Sequence, residues 1–352
     1  MSTRYKETKL IKFIKRAYRI IRRARVPFRN SKFSNHIFNN YVHLIFLTLR
    51  ALSGMSYQRF LEWIENFEQI LVILRIERFP HFTTLQKFAS RIDKRYLDIL
   101  IVISSTGPNI RILMTAIDST GFSLTNASYQ YITTIDRYRE KGTLGRPRTK
   151  RKVRRYLKPT FVGEIRSQMI LAVKIRRGPD NDSKDFIPAY KKVKNLDHRK
   201  VKLALGDKGF DAEPNHKFIR EDIGGRSIIP IRKYKAMDYT TRGKYRREMR
   251  AGYPKELYSQ RSKMETINSV IKRKMGGSIR AFKCKLQNRE IMFKALAYNL
   301  ERGLLRYYIR GFLESFWWLL PCQSSGTSGI NSWAVISSNV YGCLLPTFSF
   351  SH

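Results

Sequence analysis

Apolar residues recur every three to four positions through the first hundred residues, and then the period changes. Over 4–25, Leu10, Ile14, Tyr18 and Ile21 share one face of a basic amphipathic helix. A second helical pattern covers 36–52, and "SYQRFLEWIENF" (56–67) opens a third with Ser56 at its N-cap. "FPHFTTLQKFASRID" (79–93) reads as a turn and then a helix capped by Thr83 or Thr84. Residues 1–105 are therefore expected to be all-helical. Two short helices joined by a turn invite a helix-turn-helix reading, with plain bundle packing as the alternative.

Past Gly107-Pro108 the pattern turns to strands. "IRILMTAID" (110–118) is a nearly continuous apolar run that ends in Asp118 and the turn "STG". "LKPTFVGEI" and "MILAVKIRRG" flank the polar "RSQ" as a hairpin. "GPDNDSKDF" supplies loop and N-cap residues, Asp182 and Asp185 among them, for a helix near 184–194. "VKLALGD" (201–207) is a second buried strand, ending in Asp207. "RSIIPIRK" (226–233) is a third, placed at an edge by Pro230. From about 256 the chain is helical to 310, interrupted at Gly276-Gly277. This order predicts a mixed α/β sheet flanked by helices over 106–310.

Charge changes the picture most. The 69 Lys and Arg face 27 Asp and Glu, a formal net charge of +42. Such self-repulsion needs a polyanionic partner, and nucleic acid is the best candidate. "GRPRTKRKVRRYLK" (145–158) holds Arg146, Arg148, Lys150, Arg151, Lys152, Arg154 and Arg155 without one acid. We read it as a phosphate-tracking arm, against the alternative of a solvated loop. Residues 311–352 contain no Lys or Arg and form an atypical low-charge tail, either outside the working domain or an oligomerisation segment. Cys284, Cys322 and Cys343 show no metal spacing, and the six histidines no HExxH pattern, which fits a reducing cytoplasm and gives no zinc site. No run reaches the roughly 18 apolar residues of a membrane span, so a soluble chain is expected.

The acids that could do chemistry are few. Asp118 and Asp207 close two strands, and strand ends of α/β sheets open into crevices where ligands bind. Asp-Ser-Thr-Gly and Asp-Lys-Gly are also ordinary turn sequences. Glu265 stands alone in the basic "YSQRSKMETINSVIKRKMGG" (258–277). If one helix includes Tyr258, then Tyr258, Arg261, Glu265 and Lys272 fall at about 0°, −60°, −20° and −40° around it. That face suits a metal ligand flanked by phosphate clamps. The alternative is an exposed Arg261–Glu265 pair at i,i+4, worth about 0.3–0.5 kcal/mol. Three converging carboxylates need a divalent cation, and hard oxygen donors suit two Mg2+ or Mn2+ ions.

Tyr258, Arg261, Glu265 and Lys272 match a Tyr-x2-Arg-x3-Glu-x6-Lys signature, and "AIDSTGF" and "ALGDKGFD" carry Asp118 and Asp207 in the matching order. In these motifs the chain resembles the DDE transposases of prokaryotic insertion sequences, over about 110–305. The resemblance implies a ribonuclease H-like fold and an Asp118–Asp207–Glu265 triad holding two metal ions. It implies that Tyr258, Arg261 and Lys272 contact terminal phosphates. It further implies a homodimeric synaptic complex on double-stranded transposon ends and target DNA, in the cytoplasm at the nucleoid, with no membrane partner. Cleavage of the ends would precede 3′-hydroxyl strand transfer. Relatives that cut through a DNA hairpin use a tryptophan between the second aspartate and the glutamate, and none lies between 207 and 265 here; the basic "KYRREMR" (244–250) is expected to contact DNA instead. A helical DNA-binding region (1–105), a catalytic domain (106–310) and the tail (311–352) make up the expected organisation. A nuclease without strand transfer, and a non-enzymatic or decayed nucleic-acid-binding protein, are the alternatives.

Overall fold

Short polar caps divide the first part of the chain into helices. In the computed structural model, which describes residues 7–29, 37–106, 111–125, 156–178, 180–232 and 241–317, these are α1 (Lys9–Arg23), α2 (Asn40–Ser53), α3 (Tyr57–Ile64), α4 (Gln69–Leu74), α5 (Phe82–Arg91) and α6 (Lys94–Ser105). Thr8, Asn39, Ser56 and Asp93 each accept a hydrogen bond from a backbone N–H of the first turn they cap. Gly54, at φ 65°, closes α2 in the left-handed conformation that glycine tolerates best. The expected threonine cap of α5 is corrected: His81 takes that place, its Nδ1 accepting from the Thr83 N–H at 3.4 Å. An imidazole nitrogen does there what a hydroxyl would.

Strands β1 (Ile112–Ser119), β2 (Phe122–Leu124), β3 (Tyr156–Glu164) and β4 (Met169–Gly178) follow. Next come α7 (Ser183–Leu196), β5 (Lys200–Gly206), α8 (Glu213–Lys217), β6 (Arg226–Ile228), α9 (Lys244–Ala251), α10 (Lys255–Ser259), α11 (Ser262–Met275), β7 (Ser278–Ile279) and α12 (Cys284–Trp317). β4, β3 and β1 pair antiparallel; β5 joins β1 in parallel and β6 joins β5 in parallel at the edge. This three-antiparallel, two-parallel order flanked by helices is ribonuclease H-like. The short β2 continues beside β3 after the Asp118 turn and pairs in parallel with β7.

The two faces of the sheet bury different partners because strand side chains alternate. Leu113 and Ile117 of β1 pack with Phe186, Ala189, Tyr190 and Val193 of α7. Ala116 packs on the other side, in a cluster with Met264, Ile267 and Ile271 of α11, a row of α12 from Ile291 to Leu304, and the N-terminal helices. Asn299 of α12 ties the layers together. Its Nδ2 donates to Ile101 O and Ile170 O at 3.1 and 2.7 Å, and its Oδ1 accepts from the Ile170 N–H at 2.8 Å.

Gly163, opposite Ala116 on β3, lets α11 approach closely. A Cβ there would lie 2.4 Å from Met264 Sδ and 3.1 Å from Ile267 Cδ1. Met1–Tyr307 forms one compact unit and Tyr308–His352 a second, of which only the end of α12 is described. The rest of the tail lies outside the described residues, as does most of the basic arm, with Arg146, Arg148, Lys150, Arg151, Lys152, Arg154 and Arg155.

Candidate active site

Parallel strands place their carboxyl ends on the same edge of a sheet, and β1 and β5 are such neighbours. Ile117 pairs with Gly206, so Asp118 and Asp207 are the next residues of adjacent strands. Adjacent strands lie about 4.8 Å apart. Asp207 begins the 3-10 turn Lys208–Phe210, but through its backbone: its carbonyl accepts from the Phe210 N–H at 2.9 Å, and its side chain caps nothing. An ordinary turn-starter role therefore leaves the Asp207 carboxylate unexplained.

By the alternation of β1, Asp118 falls on the Ala116 face, toward α11. Its Oδ2 accepts from Asn268 Nδ2 at 2.9 Å. Burial pushes the Asp118 carboxyl up to about 6. The nearby Arg261 charge, the Ser119 N–H and Asn268 oppose that rise, and Glu265 adds to it. The amide oxygen of Asn268 is itself buried and has no hydrogen-bond partner.

Glu265 lies in the first turn of α11 and accepts from Arg261 Nη2 at 2.6 Å. This is the i,i+4 pair of the alternative reading, with an exposed carboxylate and a largely buried guanidinium. The Arg261 side chain is 19% exposed, against 55% for Glu265. It is electrostatically coupled to Asp207 and to Asp118 as well. The guanidinium thus bonds to Glu265 and lies within electrostatic range of Asp118 and Asp207. Among the described residues no three acidic, histidine or cysteine side chains come close enough to hold a metal ion together. The donor set nevertheless fits a hard divalent cation: all its ligating atoms are oxygens, the bare Asp118 anion is disfavoured, and an amide oxygen beside it is unmatched.

The four-residue face is only partly realised. The chain breaks between α10 and α11, with Arg261 at the N-cap, so Tyr258 precedes the helix that carries Glu265 and Lys272. Arg261 sits 5.9 Å from the centre of the Tyr258 ring, which packs edge-on against Tyr253. Burial raises the Tyr258 phenol above its ordinary range. Lys272 Nζ lies 5.6 Å from the ring centre of buried Phe122, the first residue of β2.

The loop acids are held elsewhere. Asp185 is fully buried and accepts from Arg176 Nε at 2.9 Å, pinning α7 to β4. Asp182 pairs with Lys158 of β3, although a Cβ on Gly209 would come within 3.2 Å of its Oδ2. In "KYRREMR", Arg246 forms a two-pronged bond to Asp211 at 2.8 Å and is a structural clasp, whereas Arg247 is exposed. Sequence reasoning missed Asn268. The usable signal was its place three residues after Glu265, on the same face of a helix.

Comparison with known proteins adds the following. The family model of the transposase DDE domain matches residues 111–300, more than half of the chain. No curated protein sequence matches significantly. Among solved structures, a piggyBac transposase in a synaptic complex with hairpin DNA aligns with a TM-score of 0.42 and 12% identity, over 97% of this chain and 92% of that chain.

Proposed function

The chain belongs to the transposase DDE domain family, and on that premise we propose that it is a metal-dependent enzyme that cleaves DNA at transposon ends and joins the freed 3′-hydroxyl to target DNA. One observation carries this reading: carboxylates at adjacent ends of β1 and β5 face the Glu265 helix, with a single Arg261 coupled to all three. Asp118, Asp207 and Glu265 are the residues that would hold Mg2+ or Mn2+. Bound there, two such ions supply activation of the attacking hydroxyl and stabilisation of the leaving oxygen.

The protein's own side chains do the rest. Asn268 fixes the orientation of Asp118 through its amide N–H. Arg261 exchanges Glu265 for a phosphate oxygen when DNA enters, because its planar fork suits either partner. Tyr258 and Lys272 border the same edge and hold the terminal phosphates. The positive charge of the whole chain, with the basic arm at 145–158, provides affinity through counterion release. The helical region through residue 105 contributes to end recognition, and two copies meet in a synaptic complex. Among the described residues no helix is long and apolar enough to cross a membrane. Origin in a prokaryotic insertion sequence and action at the nucleoid belong to the same proposal.

The test uses duplexes taken from the DNA flanking the gene, incubated with the full chain and Mg2+ or Mn2+. Metal-dependent nicking at one end position, followed by joining of a pre-cleaved 3′-hydroxyl end to a plasmid, is the expected result. Nicking without joining would make the protein a nuclease. Binding with neither reaction would make it a non-enzymatic DNA-binding protein.

A further inference from the structure

Arg50, in the last turn of α2, is 8% exposed. Its guanidinium lies 3.8 Å over the Tyr57 ring, yet its Nε is buried without a hydrogen-bond partner. No carboxylate among the described residues lies within ion-pair distance of it. A buried cation without an acceptor is costly, and stacking on a tyrosine offsets only part of that cost.

The Arg50 side chain lines a cavity of about 30 Å3 that it shares with Gly276, Arg280, Glu290 and Lys294. A water needs about 10–15 Å3 by this measure, so there is room for about two waters or one oxyanion. Three cations face one carboxylate there. Glu290 is occupied, accepting from the N–H groups of Arg280 and Ala281 at 3.3 and 3.1 Å. Lys294 is occupied too: its ammonium donates to the carbonyls of Met275, Gly276 and Ser278 at 2.8, 2.7 and 3.0 Å. Arg50 Nε is the unmatched buried donor.

We propose that this cavity is a phosphate-binding site with Arg50 as its principal ligand, filled by a backbone phosphate of bound DNA. A guanidinium fork matches the tetrahedral oxygens of phosphate better than it matches a spherical anion. The walls of the cavity belong to the machinery already described. Met275 and Gly276 end the helix that carries Glu265 in its first turn, and Ser278 opens β7, which pairs with the strand after Asp118. A phosphate held here anchors DNA to the far end of the catalytic helix. The site stands apart from the transposase reading, which it needs only for the source of the phosphate.

The test compares the full-length chain with Arg50→Met, which keeps an apolar stem on Tyr57, and with Arg280→Ala at the exposed mouth. Because the chain carries a net charge of +42, the quantity read is the difference between variants. Inorganic phosphate, titrated against chloride at equal ionic strength, should raise the melting midpoint of the wild type more than that of Arg50→Met. Duplex DNA should bind Arg50→Met several-fold more weakly, with a salt slope smaller by about 0.9, one phosphate contact. Loss of the phosphate response with an unchanged duplex slope keeps the site and assigns it to free phosphate. Arg50→Met behaving like the wild type in both assays overturns the proposal. If Arg50→Met does not fold, Arg280→Ala decides: a smaller phosphate response supports the site, and an unchanged response with an unchanged slope overturns it. A wild type that binds phosphate but no DNA would sink the transposase reading and leave the site intact.

Discussion

Asp185 and Asp118 both lie against the same sheet, and their surroundings differ in one respect. Asp185 is fully buried and receives Arg176 Nε from β4, a guanidinium that also donates to Asp180 at 3.1 Å. Asp211 likewise has Arg246 of α9 on both oxygens. Each of these acids meets a counter-ion brought by another element. Of Asp118, Asp207 and Glu265, only Glu265 forms an ion pair among the described residues, with Arg261. Acids that hold the fold are neutralised within it. The acids proposed to act on a substrate have less positive charge beside them, which suits the cation proposed for them.

The largest effect should come from the under-neutralised group. Glu265→Gln keeps the shape of the side chain and removes its charge, so cleavage of end duplexes should fall by at least about 10²–10³-fold, the scale of losing one preorganised charge-stabilising group. Duplex affinity should hold or rise, because Arg261 is released toward phosphate. Gel-shift and cleavage assays on one preparation check this. A matched loss of binding would mean that the helix had unfolded.

On the other side of the comparison, Asp185→Ala removes the buried carboxylate partner of Arg176 and leaves its ion pair with Asp180. It should destabilise the protein by about 3 kcal/mol, the low end for breaking a buried pair, since the arginine is a quarter exposed. Urea denaturation measures it, and a change under about 1 kcal/mol would place Asp185 with surface pairs instead.

The smallest effect concerns pH. Asp118 titrates near 6 in the folded chain against 3.8 as its ordinary value, so the native state holds this proton more tightly than the unfolded state. Its contribution to stability is present below about 4 and is lost as pH rises through about 6. Without metal, the unfolding free energy of the wild type relative to Asp118→Asn should therefore decline across that window. Added Mg2+ should flatten the decline. A difference curve already flat without metal would show Asp118 to be solvated.

The sheet and its two aspartates were legible because apolar runs ending in Asp mark strand ends in any context. Glu265 was legible from its isolation among cations and its spacing from Tyr258, Arg261 and Lys272. The break before Ser262 was not, because "YSQRSKME" carries no Gly or Pro and its helical period runs on unbroken. The β2–β7 pair was hidden for a different reason: strands of three and two residues have no measurable period. Asn268, Arg50 and Lys294 depend on what other elements place beside them, and local pattern carries no trace of that.

Gly163 has a consequence for tolerance. Between β3 and the Met264–Ile267 ridge of α11 it is a shim of zero thickness, so the clearance there is set by an atom that is not there. Adding one methyl group would press on the ends of the Met264 and Ile267 side chains, which must rearrange to admit it. A residue with no functional group, buried on the middle strand of the antiparallel trio, thereby sets how closely the Met264 and Ile267 side chains can seat α11 on the sheet.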